Sequence, residues 1–203
     1  MNSSLRIART LTFPGAEPTP ELPPGLLVEF SGDRETARLS SAASALRRAQ
    51  QQGETTAWVQ PELGSLYPPD LAEAGVDLDR LIVIRVPASF GTAGLSKATE
   101  MLARSGAFGY LVVDLREVSL RLPPSWQGKL LGAARDHGSR ILFLTSKSSG
   151  TESVGSLVGL RIEPRRVRFA PGRFAIEHHV LKNKPGLPFS EATEHRRAPW
   201  GLR

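Results

Sequence analysis

Apolar positions recur along this chain in two alternating rhythms. Short runs read as strands: Leu26-Leu27-Val28-Glu29-Phe30, Thr55-Thr56-Ala57-Trp58-Val59-Gln60, Leu81-Ile82-Val83-Ile84-Arg85-Val86, Tyr110-Leu111-Val112-Val113-Asp114 and Ile141-Leu142-Phe143-Leu144. Between them apolar residues fall at helical spacing, as in Leu39, Ala42, Ala43, Leu46 and Ala49, then Leu95, Ala98, Met101 and Leu102, then Trp126, Leu130, Ala133 and Ala134. The first helix is expected to start near Glu35 and to stop at Gly53. Pro68-Pro69-Asp70 opens a short helix, and Ser125 is placed to cap the last one. Strands apolar on both faces, alternating with helices, predict an α/β core with a mostly parallel central sheet flanked by helices. After Leu144 the rhythm changes. Thr145 to Ser153 is polar and reads as an exposed, mobile loop. Leu157 to Ile162, Arg166 to Phe169 and Phe174 to Leu181 are strand-like, with turn residues at Glu163-Pro164 and Pro171-Gly172, and they predict a C-terminal antiparallel extension.

The two ends differ from this core. Residues 1–24 hold Pro14, Pro18, Pro20, Pro23 and Pro24 and read as an extended arm. An alternating piece before the prolines, Leu5 to Leu11, is either a strand for a sheet edge, in this molecule or a neighbour, or a frayed terminus. Residues 187–203 carry His195-Arg196-Arg197 and Trp200 without a helical or strand period. They read as a basic, flexible tail, in which Trp200 either anchors a partner or folds back on the domain. The expected division is therefore arm 1–24, core 25–186 and tail 187–203.

Candidate chemistry gathers after the first strand. An apolar strand, Ser31-Gly32 and a helix in that order are the parts of a phosphate-binding loop. A working G-x-x-x-x-G-K-[ST] loop needs a second Gly, a Lys and a hydroxyl residue, and here those places hold Ala37, Arg38 and Leu39. Arg38 keeps the charge as a broader fork, Leu39 cannot ligate a metal, and Asp33 and Glu35 are negative where phosphates would sit. The loop is thus read as a relic that keeps the fold without the nucleotide, with weak nucleotide binding as the alternative. Asp114, at the carboxyl end of its strand, is in the place of a metal-water ligand or else caps the next turn. His178 and His179 are adjacent on a strand and point to opposite faces, and His137 and His195 lack partners at ligand spacing, so no metal site is expected. Lys147, Arg165 and Arg166, with Arg168, either touch nucleic-acid phosphates or form a solvated basic face.

Composition changes this picture little. The chain has 203 residues, 40% hydrophobic and 23% charged, as in an ordinary globular domain. No apolar run approaches the ~20 residues that cross a bilayer, and the first residues lack the apolar region of a signal peptide. With no cysteine there is no disulfide framework, and a cytoplasmic location is the simplest reading. A net charge of +6 suits an acidic partner, a nucleic acid or an acidic protein surface, but it also suits a basic proteome.

Several local patterns in order resemble the core of the RecA recombinases. GLLVEFSG, from Gly25, is similar to the strand before the RecA phosphate loop. Ala57 to Glu62 is similar to the second strand, with Glu62 in the place of its catalytic glutamate. Ala74 to Leu81 resembles the segment L-G-V-D-x-D-x-L, Leu102 to Asp114 the approach to the Walker B strand, and Val180-Leu181-Lys182-Asn183-Lys184 with Pro188-Phe189 the K-N-K segment. The resemblance implies a RecA-like P-loop NTPase core in which Lys182 and Lys184 serve an interface, as the two RecA lysines reach a neighbour's nucleotide. The segments around Leu120-Arg121-Leu122 and Thr145 to Ser153 are very short for DNA-binding loops. A RecA-like core with a degenerate loop looks like the ImuA proteins of bacterial SOS mutagenesis. That likeness implies a non-catalytic adaptor with no ATP or Mg²⁺, partnered by RecA, an ImuB-type Y-family-like polymerase subunit and an error-prone DNA polymerase. Self-association and direct DNA binding stay open, no membrane is involved, and nucleoid association follows only through partners. Two further readings remain: a RecA paralogue with weak ATPase activity, and a SulA-like inhibitor of cell division.

Overall fold

A computed structural model describes residues 21–33, 36–64, 66–116, 118, 122–188 and 193–197. Strands β1 (Leu26–Phe30), β2 (Thr56–Pro61), β3 (Leu81–Val86), β4 (Tyr110–Asp114) and β5 (Arg140–Leu144) alternate with helices α1 (Arg38–Gln51), α2 (Pro68–Glu73), α3 (Gly91–Ser105) and α4 (Pro124–Asp136). They are followed by β6 (Leu160–Ala170), β7 (Arg173–Asn183) and β8 (Thr193–Arg197). The eight strands form one sheet in the order β3-β2-β4-β5-β1-β6-β7-β8. The first six of these are parallel to one another, while β7 is antiparallel to β6 and β8 to β7. This is the α/β architecture with a mostly parallel sheet and an antiparallel extension that the apolar rhythm predicts.

The period of two in the strands divides the core. Val28, Phe30, Trp58, Val112 and Leu142 meet Leu46 of α1 on one face. Leu27, Val59, Leu111, Val113 and Phe143 meet Leu95 of α3 and Leu130 of α4 on the other. Sequence runs without polar alternation thus become strands buried on both sides.

Five expectations are corrected. α1 starts at Arg38 rather than near Glu35, because Thr36 bridges to Arg165 of β6 and the Ala37 amide donates to the Pro164 carbonyl at 2.8 Å. α4 starts at Pro124 with Pro123 in the capping place, not Ser125, since a proline there needs no partner for an N–H it lacks. Glu163-Pro164 does not turn the chain. β1 ends opposite Ile162, so β6 runs on as a ribbon with β7, where a residue lacking an N–H is tolerated.

The tail is not without structure. Thr193–Arg197 pairs antiparallel with Arg173–Glu177 of β7, a main-chain ladder that needs no apolar period. Trp200 lies outside the described residues, as do residues 1–20, Glu35, Leu120 and Arg121. The fifth correction concerns 145–153. Its tip is exposed, but Thr145 and Ser153 are bound at its roots to a buried carboxylate described below. Among the described residues no helix is long and apolar enough to cross a membrane.

Candidate functional site

In a parallel sheet, side chains that follow the carboxyl ends of the strands converge on one edge. Gly32 after β1, Glu62 after β2, Asp114 closing β4 and Thr145 after β5 all lie there. Each of them is engaged by this chain's own groups.

The loop after β1 is closed from inside. Gly32 has φ +143°, and a Cβ placed on it would lie 2.2 Å from Thr36 Cγ2. The Thr36 methyl thus occupies the close-approach space that a glycine opens. Thr36 Oγ1 donates to the Asp33 carbonyl at 2.8 Å. Arg38, 6% exposed at the start of α1, donates from Nη2 to the Asp33 carbonyl at 2.6 Å, from Nη1 to Ser146 Oγ at 3.2 Å, and to the Thr145 carbonyl. Its fork is spread over oxygens on both sides of the loop mouth. Ala37, the residue before α1, offers no side-chain cap, and Leu39 is half-buried with no ligating atom.

The two acidic candidates are bound by backbone or side-chain donors of the chain, Asp114 buried and Glu62 exposed. Asp114 is buried. Its Oδ1 accepts the Arg116 amide at 3.1 Å and Nε at 2.9 Å, and its Oδ2 accepts Arg116 Nη2 at 2.6 Å. That bidentate pair also caps the turn after β4. Glu62 Oε2 accepts the Ala88 amide at 3.3 Å, which ties the end of β2 to the turn after β3.

A buried cluster beside these residues is absent from the reading of the sequence alone. Glu29, in the middle of the apolar β1 run, has no exposure and accepts Thr145 Oγ1 at 2.7 Å, Ser153 Oγ at 2.6 Å and the Val154 amide at 3.0 Å. Arg161 Nε lies 3.7 Å from Glu29 Oε2, and the same guanidinium reaches Ser31 Oγ at 2.8 Å and the Ser148 and Thr151 carbonyls. The pair stitches the 145–154 segment over the ends of β1 and β6. A carboxylate inside an apolar strand was the available signal. A lone Glu in such a run, however, does not reveal its partner.

Lys182 and Lys184 share one side of the chain at the end of β7. Lys182 Nζ lies 3.3 Å from the Gly155 carbonyl and Lys184 Nζ 2.8 Å from that of Ser156. They line an open cleft of about 890 Å³ with Arg161, Gln127, Pro124 and the 149–156 segment. Burial, and then the neighbouring Lys184, hold the Lys182 amine below its ordinary value of 10.5. Between the lowered value and 10.5 the unfolded chain binds more protons than the folded one, so stability rises with pH across that window. Lys182→Met is expected to lose this rise, and urea midpoints measured from pH 8 to 10.5 would then show a flatter slope than the parent.

The basic candidates are not brought together. Arg165 Nε is paired with Glu163 at 2.7 Å, and Arg166 stacks over the Phe174 ring at 5.9 Å. Neighbours on β6, they point to opposite faces. Lys147 lies in the 145–154 segment, where its carbonyl faces Arg161. Among the described residues no group of three or more His, Asp or Glu is placed to hold a metal ion.

No family model matches the chain. Among curated proteins it is similar to RecA of Nitratiruptor sp., 34% identical over 210 residues that cover 84% of this chain and 59% of that protein. It is likewise similar to RecA of Amycolatopsis mediterranei, 26% identical, and of Rhodococcus jostii, 27% identical, each over 207 residues covering 84% of this chain and 58% of the relative. The chain spans a little over half the length of these relatives.

Proposed function

We propose that this RecA-like chain is a non-catalytic adaptor of damage-induced translesion DNA synthesis, of the ImuA kind, which docks on RecA and on an ImuB-type polymerase subunit. The observation that carries this reading is the closed loop after β1. The magnesium nucleotide of a RecA-type core does not fit the residues present. Thr36 fills the space at Gly32, the Arg38 fork is committed to carbonyl and hydroxyl oxygens, Leu39 has no oxygen for a metal, and the Asp114 carboxylate is held by Arg116. A core that keeps the RecA sheet while these groups bind one another serves recognition better than turnover. Lys182 and Lys184, half-buried and exposed respectively at the open cleft, are the face offered to RecA or to a second copy. An error-prone DNA polymerase joins through the ImuB-type subunit. With Arg165 and Arg166 engaged on opposite faces, DNA reaches the adaptor chiefly through its partners, in the cytoplasm and at the nucleoid when they are bound there.

The test is a titration of the purified chain with a fluorescent ATP analogue and Mg²⁺, with RecA as the positive control. We expect no binding up to millimolar nucleotide, together with retention of the chain on immobilised RecA. Micromolar nucleotide binding that Arg38→Ala abolishes would overturn the reading in favour of a RecA paralogue with a working, altered loop. Failure to bind RecA and the polymerase subunit would remove the adaptor role itself.

A further inference from the structure

The cleft beneath β7 has an uncommon charge arrangement. Lys182 and Lys184, two apart in an extended segment, project to the same side. Lys182 Nζ is 3.5 Å and Lys184 Nζ 2.8 Å from the single Ser156 carbonyl oxygen, which places the two cations within about 6 Å of each other. Among the described residues neither lysine has a carboxylate partner. Glu29, a buried carboxylate whose charge acts on Lys182, is taken up by Arg161, Thr145 and Ser153, and Glu152 lines the cleft without pairing to either lysine. Two ammonium groups on one acceptor, with open space before them, attract a small anion, and the Lys184 charge disfavours that of Lys182.

The geometry points to Lys182 as a site of acyl transfer from acyl phosphates, small anionic mixed anhydrides that the paired cations gather in the cleft. Lys184, exposed and held by its short contact to Ser156, binds the phosphate end. Lys182, half-buried and with only longer contacts to carbonyls, is the member that gives up its proton more readily. The neutral Nζ attacks the acyl carbon. The C–N bond forms, the C–O bond to phosphorus breaks, and orthophosphate leaves with that electron pair. The amine proton passes to solvent or to the departing phosphate. No oxidation state changes. The product is a neutral amide that removes one positive charge from the cleft and leaves Lys184 unopposed. This inference does not rest on the adaptor reading, because the reaction is a property of the isolated chain.

The full-length protein is incubated with acetyl phosphate at pH 8, and acetylation is followed site by site by mass spectrometry. The chain has five lysines, so Lys97, Lys129 and Lys147 are internal references. Lys182 is expected to acetylate several-fold faster than their mean, because the paired cations gather the acyl phosphate beside an amine whose charged form burial and Lys184 disfavour. Lys184→Gln is expected to bring the Lys182 rate down to that of the references. Inorganic phosphate in excess should slow Lys182 and spare the other three. A neutral N-hydroxysuccinimide acetate should show a smaller preference for Lys182, as it gains nothing from anion capture. The inference is overturned by a Lys182 rate no higher than the references, by Lys184 reacting first, or by a preference that Lys184→Gln leaves intact. A preference equally strong with the neutral ester would overturn the acyl phosphate as its substrate.

Discussion

Replacing Glu29 with alanine is expected to cost about 3–5 kcal/mol of folding stability, the usual loss when one member of a buried ion pair is removed. Glu29 has no exposure and the Arg161 side chain only 4%, so the arginine left behind would hold an uncompensated charge in the sheet. The same substitution strips the Val154 amide, Thr145 Oγ1 and Ser153 Oγ of their acceptor. Against a typical stability of about 5–15 kcal/mol, the variant would be close to unfolding at 37 °C. The double variant Glu29→Leu, Arg161→Met removes both charges and is expected to recover most of the loss. Urea unfolding of the parent, both single variants and the double variant measures the coupling. Additive single losses would mean that the pair is solvated and holds nothing. Proteolysis should report the same event locally, with cleavage in the 145–154 segment rising in Glu29→Ala before global unfolding.

The second large effect is expected at Gly32→Ala. A left-handed φ of +143° is costly for any residue with a Cβ, and here that Cβ would lie 2.2 Å from Thr36 Cγ2. Backbone strain of about 1–2 kcal/mol and overpacking of about 1–3 kcal/mol give a loss near 3 kcal/mol. Adding Thr36→Gly removes the clash and leaves the backbone term, so the double variant should regain about half of the stability. If Gly32→Ala unfolds at the same urea concentration as the parent, Thr36 does not fill the loop. Nucleotide binding gained by Thr36→Gly alone would show that the threonine side chain is the plug.

Much of the architecture was legible because it depends on short-range patterns. Unbroken apolar runs such as Tyr110 to Val113 have few alternatives to a doubly covered parallel strand, and the stripe Leu39, Ala42, Leu46, Ala49 has few alternatives to a helix on that sheet. The order of strand, glycine turn and helix placed Gly32, and the close of its apolar strand placed Asp114, at the carboxyl edge of the sheet where they lie, while Glu62 was reached only through the RecA resemblance and lies on the same edge. The failures share a cause. The start of α1, the continuity of β6 through Pro164 and the strand in the tail are each set by a partner distant in sequence: Arg165 for Thr36, β7 for Pro164, and β7 again for Thr193–Arg197.

The chemistry of the site divides the same way. That Ala37, Arg38 and Leu39 lack the atoms of a phosphate loop is a matter of side-chain identity, which any register of the chain would preserve. How the loop is occupied is a matter of proximity. Thr36 lies over Gly32 with its backbone bridged to Arg165 of β6, and Arg38 spans to Thr145 across 107 positions because β1 and β5 are neighbours. Glu29 and Arg161 read as an isolated acid and an isolated base until β1 and β6 lie side by side. Patterns carried by neighbours in the chain survive in one dimension; hydrogen bonds and ion pairs between distant residues exist only after the sheet order has been chosen, and that order is where the low-dielectric interior makes them strong.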